Sequence, residues 1–164
     1  MQLTTDHGQL TTNNFPTMNF AMIDPESPDE ILTWAEVQRT HRTRNGVYQR
    51  NGRLVSLLTD FGRINPCYPD THADASGRRI HYTGAGRRGD QHLTPANRAL
   101  LAAIESGHAV PLFNKLAVGR WRHMGYWRVT EAAHQHDPQE DRMLWRFTLE
   151  KAGNDEVGTM NDER

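Results

Sequence analysis

Asn51-Gly52 stands between two runs of strand-forming residues, Val47-Tyr48-Gln49-Arg50 and Arg53-Leu54-Val55-Ser56-Leu57-Leu58. Both turn residues tolerate positive φ, so the pair closes a two-residue β-hairpin and commits the chain to antiparallel sheet. Further β runs occur at Ile80–Thr83, Ala109–Phe113, Gly125–Ala133 and Arg142–Glu150. In the last, Leu144, Arg146, Thr148 and Glu150 alternate with Met143, Trp145, Phe147 and Leu149, the period of a half-buried strand. His134 to Asp141 reads as the loop joining the final two runs.

Two helices interrupt the strands. Thr94 as N-cap, Pro95 at the first helical position, a body from Ala96 to Ser106 and Gly107 after the last turn form a complete set of start and stop signals. Ser27-Pro28-Asp29-Glu30 predicts a second helix from Pro28 to about Arg39, where Ile31, Leu32, Trp34, Ala35 and Val37 make a partial apolar stripe. Asp60 to Arg79 contains Gly62, Pro66, Pro69 and Gly77, and so reads as a long loop of the kind that carries function. The pattern predicts an α+β domain on a curved, barrel-like sheet with two or three flanking helices. Residues 1–26 are expected to be a flexible arm, 27–152 the domain, and 153–164 a disordered tail.

The net charge of -1 conceals a strong asymmetry. Met1 to Gln38 holds six acids and no Lys or Arg, whereas Arg39 to Arg88 holds ten Arg against three acids, a local balance of +7. A basic middle in a neutral chain suits a phosphate-contacting face, and the 17 Arg against 2 Lys favour phosphate and base contacts. No apolar run approaches a membrane span, and the polar N-terminus is no secretory signal. The single cysteine, Cys67, excludes an internal disulfide and any multi-thiolate zinc site, and fits the cytoplasm.

Five fragments in order are distinctive: Tyr82-Thr83-Gly84-Ala85-Gly86, then Gly89-Asp90-Gln91-His92-Leu93-Thr94, Asn97-Arg98-Ala99-Leu100, Gly125-Tyr126-Trp127-Arg128-Val129 and Leu144-Trp145-Arg146-Phe147-Thr148-Leu149. Together they resemble the signature of the SRA (YDG) family, over about Val47 to Ala152. The resemblance implies a PUA-like barrel that binds double-stranded DNA and turns one modified cytosine, 5-methylcytosine or 5-hydroxymethylcytosine, into a pocket. Tyr82 and Tyr68 would stack on the base, and Thr83 and Gly84 would line the pocket near its C5 substituent. An aspartate after the first tyrosine would accept from the exocyclic amine, and both Asp70 and Asp74 qualify, with Asp70 favoured. Arg87 and Arg88 beside the pocket, with Arg42, Arg44 and Arg98, are the candidate DNA contacts. Asp90 is expected to hold the turn before the helix. Only Arg87-Arg88-Gly89 separates the glycine turn from the Asp-Gln step, the compact form of bacterial members that target modification-dependent restriction. That form implies work in the bacterial cytoplasm at the nucleoid.

No catalytic site, metal or cofactor is expected. Lys115 and Lys151 follow no Asp…Glu-x-Lys pattern, and the chain has neither a nucleophile elbow nor a phosphate-cradling Gly-x-x-x-x-Gly-Lys. His134-Gln135-His136 with His123 is the nearest approach to a metal cluster. The reading is a binding module that acts alone or recruits a nuclease partner. The alternatives are a small metal-dependent nuclease and a PUA-like RNA binder.

Overall fold

The computed structural model describes residues 30–153. Seven strands alternate with two helices in the order α1 (Trp34–Gln38), β1 (Val47–Arg50), β2 (Arg53–Thr59), β3 (Thr71–His72), β4 (Arg79–Thr83), α2 (Pro95–Ser106), β5 (Val110–Ala117), β6 (Arg120–Asp137) and β7 (Arg142–Lys151). They form one sheet of order β1-β2-β5-β6-β7-β4-β3, in which only β2 and β5 run parallel. As the Asn-Gly signal requires, Asn51 and Gly52 have φ of 53° and 85° and close the β1–β2 hairpin.

The sheet is open but curled. β2 and β4 lie four steps apart in the strand order, roughly 19 Å if the sheet were flat at about 4.8 Å per step. Yet the Tyr82 hydroxyl on β4 donates to the carbonyls of Leu58 on β2 (2.8 Å) and of Gly46 (3.2 Å). The core fills the curl with Leu54, Leu57, Ile80, Tyr82, Leu112, Trp127, Phe147 and Leu149. Across its interior α2 packs against β1, β2 and β6, burying Leu100 and Ala103, with Leu101 and Ile104 alongside. Its ends are as expected, with Thr94 Oγ1 accepting from the Asn97 N–H and Gly107 in the left-handed region at φ 68°.

Three expectations need correction. The expected Ser27 cap lies outside the described residues, and the helix begins at Trp34 instead. Leu32 is drawn into a two-way main-chain bridge with Trp121, so the helix starts from a capping box between Thr33 and Glu36. Second, β5 and β6 continue through 114–124, joined by a tight turn at Val118-Gly119. Third, β6 runs on to Asp137, so His134 and His136 are strand residues, not loop residues. His134 stacks on Trp145 and its Nε2 meets the Gln91 carbonyl, while His136 pairs with Asp141. Among the described residues no group of three His, Cys, Asp or Glu is placed to hold a metal. The arm and nearly all of the tail lie outside the described residues.

Candidate functional site

A cavity of about 560 Å³ opens where the curled sheet meets itself, between the β1–β2 end and β4. That volume is in the range of sites for small organic groups. Asp70 lies in its wall, only 3 % exposed. One carboxylate oxygen accepts from the Thr59 hydroxyl on β2 and the other from the Thr83 N–H on β4, each at 2.6 Å. Each oxygen keeps a further lone pair. Burial pushes the Asp70 carboxyl up to about 7, against the Thr59 and Thr83 hydrogen bonds and with a further push from the Asp60 carboxylate. The Thr83 hydroxyl, also buried, lies close enough to the Asp70 carboxyl to help hold its pKa down. Such a pair of groups is competent to meet a ligand edge that donates.

Tyr68 lines the cavity half-buried, whereas Tyr82 presents to it a ring that is otherwise part of the core. Both phenols are pushed up by burial, Tyr82 strongly, so each remains a neutral donor at physiological pH. Thr83 and Gly84 line the same cavity, as do Arg44 and Arg87. Asp74 does not. It is exposed and turned back on Ser76, whose hydroxyl and N–H hold its carboxyl below the usual range. Arg42, Arg88 and Arg98 are exposed and outside the cavity lining, each within four residues of a residue that lines it.

Several residues beyond the expected base and DNA contacts build the site. The glycine turn is braced from below. Gln91 Nε2 donates to the carbonyls of Gly84 and Gly86, while Asn97 takes the Ala85 N–H and returns a hydrogen bond to the Ala85 carbonyl. A Cβ on Gly84 would meet Asn97 Oδ1 at 2.7 Å and Trp145 Cβ at 2.8 Å, so no larger residue fits there. Asp90 accepts from the Met143 N–H, tying that turn to β7. From β7 the buried Arg142 bridges both walls, donating to Gly86 and Gly89 on the turn and to Cys67 beside Tyr68. Asp60 organises the start of the Tyr68 loop by accepting from the N–H groups of Gly62 and Asn65 and from the Asn65 amide. His41, fully buried, joins Ser56 to the Asn45 carbonyl and so fastens the Arg44 segment to β2. Burial lowers its pKa to about 4. At the far end Trp34 and Trp121 meet at 5.4 Å, with the Arg44 guanidinium over the first ring and the Lys115 ammonium over the second.

A family model described as ScoMcrA-like, SRA domain, matches residues 37–152, which hold all of the cavity's lining residues except Trp34. The chain belongs to that SRA family. Solved structures agree with this SRA domain in fold. A SUVH5 SRA domain in complex with hemi-methylated CG DNA superposes with a TM-score of 0.65 at 21% identity, covering 79% of this chain and 89% of that one. The same domain bound to fully hydroxymethylated CG DNA gives 0.60 at 20% identity, covering 77% and 88%. The modification-dependent TagI restriction endonuclease gives 0.60 at 19% identity, covering 75% of this chain but 48% of that one. No curated protein matches the sequence. The expected curved, barrel-like fold is therefore the fold found, with the barrel left open at the seam where the cavity lies.

Proposed function

We propose that this SRA domain binds double-stranded DNA, turns one 5-methylcytosine or 5-hydroxymethylcytosine out of the stack, and holds it in the seam cavity. The observation that carries this reading is Asp70, a buried carboxyl with spare acceptor capacity in the wall of a cavity with ample room for a base. Cytosine offers a donor amine there. Turning the base out costs a few kcal/mol of pairing and stacking. Stacking on the Tyr68 ring returns about 1–3 kcal/mol of that. Tyr82 forms the opposite wall, and the C5 substituent faces Thr83 and Gly84. Arg44 and Arg87 at the cavity, with Arg42, Arg88 and Arg98 around it, contact phosphates.

The domain spans residues 27–152 and works as a reader, not a catalyst, supplying specificity to modification-dependent restriction in the cytoplasm through a nuclease partner. Neighbours of the same fold support this, among them SRA domains bound to methylated and hydroxymethylated DNA and a restriction enzyme. Titration against duplexes carrying cytosine, 5-methylcytosine or 5-hydroxymethylcytosine tests the reading, with Tyr68→Ala beside the wild type. Modified duplex should bind at least several-fold tighter, and Tyr68→Ala should abolish that preference while salt-sensitive background binding remains. Equal binding of all three duplexes overturns it. Divalent-metal-dependent cleavage by the isolated chain, or a preference for structured RNA, would also overturn it.

A further inference from the structure

The seam cavity has two ends. Tyr68, Asp70, Thr83 and Gly84 stand at one, with Arg87 following the glycine turn beside them. Trp34, Arg44, Lys115 and Trp121 stand at the other. The main chain joins the two closely. Thr59, whose hydroxyl binds Asp70, neighbours Asn114 in the parallel β2–β5 ladder, and Lys115 is the next residue along β5. One strand spacing and one residue step put the Thr59 and Lys115 Cα atoms roughly 6 Å apart. A pyrimidine ring at Asp70 leaves the second end of this cavity, about 560 Å³ in all, unfilled.

The second end is cationic, and its cations are held in place. The Arg44 guanidinium carbon lies 4.8 Å from the centre of the Trp34 ring, and the Lys115 ammonium 5.7 Å from that of Trp121. Trp121 is itself fixed, joined to Leu32 by two main-chain hydrogen bonds and packed with Val37 and Phe113. The buried His41 fastens the chain beside Arg44 through the Asn45 carbonyl. Among the described residues no ion pair neutralises Arg44 or Lys115. Asp60, the other carboxylate of the lining, has both oxygens taken by Gly62 and Asn65. A cation seated on an indole face has given up side-chain freedom before a ligand arrives, and so binds an anion at a smaller entropic cost. A carboxyl that accepts from an amine at one end and anchored cations at the other suit a ligand with an amine edge and an oxyanion joined by a single sugar. Deoxycytidine monophosphate has that layout.

We infer that Arg44 and Lys115 form a phosphate subsite for the turned-out nucleotide, so that the cavity takes a whole 5-modified deoxycytidine monophosphate and binds it free as well as within DNA. The base end of this assignment rests on the function proposed above, whereas the phosphate end rests on the anchored cations. Its distinctive consequence is that a monomer, with no duplex to open, is a ligand in its own right.

Calorimetric titration compares 5-methyl-2′-deoxycytidine with its 5′- and 3′-monophosphates on wild type, Lys115→Met, Lys115→Arg and Arg50→Met. Lys115→Met keeps a chain over Trp121 and removes the charge, whereas Arg50→Met removes one charge at the exposed end of β1. The better monophosphate should bind wild type about tenfold tighter than the nucleoside, as hydrogen bonds to a charged group imply. Lys115→Met should cut that advantage to about threefold or less, while Lys115→Arg and Arg50→Met keep it within about twofold of wild type. In DNA, Lys115→Met should weaken an ordinary 5-methylcytosine duplex but not one whose links on both sides of that nucleotide are uncharged methylphosphonates. Equal binding of nucleoside and monophosphates, no binding of any monomer, or equal losses in Lys115→Met and Arg50→Met overturns the inference. So does a Lys115→Met loss as large on the methylphosphonate duplex. Thymidine monophosphate, which presents a carbonyl where cytosine presents its amine, separates this inference from the proposed function. If it binds as tightly as the cytidine nucleotide and with the same dependence on Lys115, the reading of the base fails and the phosphate subsite stands.

Discussion

Asp70 makes a demanding prediction, because the proposed reading of the base runs through a carboxyl that burial raises to about 7 in the free protein. An amine donor needs the ionised form, and that form is the minority below the pKa. With a pKa near 7, about a tenth of the molecules are competent at pH 6 and about nine-tenths at pH 8, and the apparent dissociation constant scales inversely with that fraction. Affinity for a 5-methylcytosine duplex should therefore rise about tenfold from pH 6 to pH 8 through this group alone. The assay is fluorescence anisotropy at fixed ionic strength, with Asp70→Asn measured in parallel. Both proteins carry the same 9 histidines, whose protonation strengthens background DNA binding in acid, so the ratio of the two removes that contribution. The variant should bind more weakly throughout, and the ratio should carry the tenfold slope. A flat ratio would sink the assignment of Asp70 to the base. A slope of opposite sign would mean that the carboxyl reads the base in its acid form.

Other consequences can be checked on the unbound protein. Arg142→Met removes three charge-assisted hydrogen bonds between β7 and the two cavity walls and should cost about 3 kcal/mol or more in urea denaturation. Where the variant still folds, binding to modified duplex should weaken far more than background binding. Gly84→Ala drives a methyl group into Asn97 and Trp145 and should destabilise by about 1–3 kcal/mol, read as a fall in Tm. The pKa of Asp70 is raised on folding, so its contribution to stability is greatest below pH 4 and is lost as pH rises to 7, by up to about 4 kcal/mol. His41, lowered on folding, acts the other way, and its contribution of about 3 kcal/mol is present above pH 6.5 and lost as pH falls to 4. Denaturation across pH 4–7 should thus find the wild type losing stability relative to Asp70→Asn as the pH rises, and two coincident curves would refute the buried carboxyl.

What the sequence made legible was local. The β1–β2 turn, the two ends of α2 and the alternation in β7 each depend on residues within a few positions of one another, and each is found where those residues place it. Failures came where distant residues decide. Leu32 had helical neighbours but was claimed by Trp121, and the polar residues of 114–124 hid a ladder that only their partner strand makes visible. The same division runs through the site. Tyr68, Asp70, Tyr82 and Thr83 were readable from motif and loop position, and they meet in one cavity. Asp60 followed by Gly62 carried a local turn signal that was open to reading. Gln91 and Asn97 stood inside the recognised motif without any hint that their amides brace the glycine turn. Arg142, which ties residues 53 to 75 positions away, has no local signature at all.

The sheet's two ends are joined across the cavity by side chains: Tyr82 to Leu58, and Asp70 between Thr59 and Thr83. Among the described residues no main-chain ladder runs there, so the contacts that close the seam are set by side chains and not by strand pairing across it. Exchanging them alters the cleft without re-indexing a single strand pair. Under the proposed function, a handful of substitutions there would retune which cytosine mark the cleft accepts while the scaffold stays as it is.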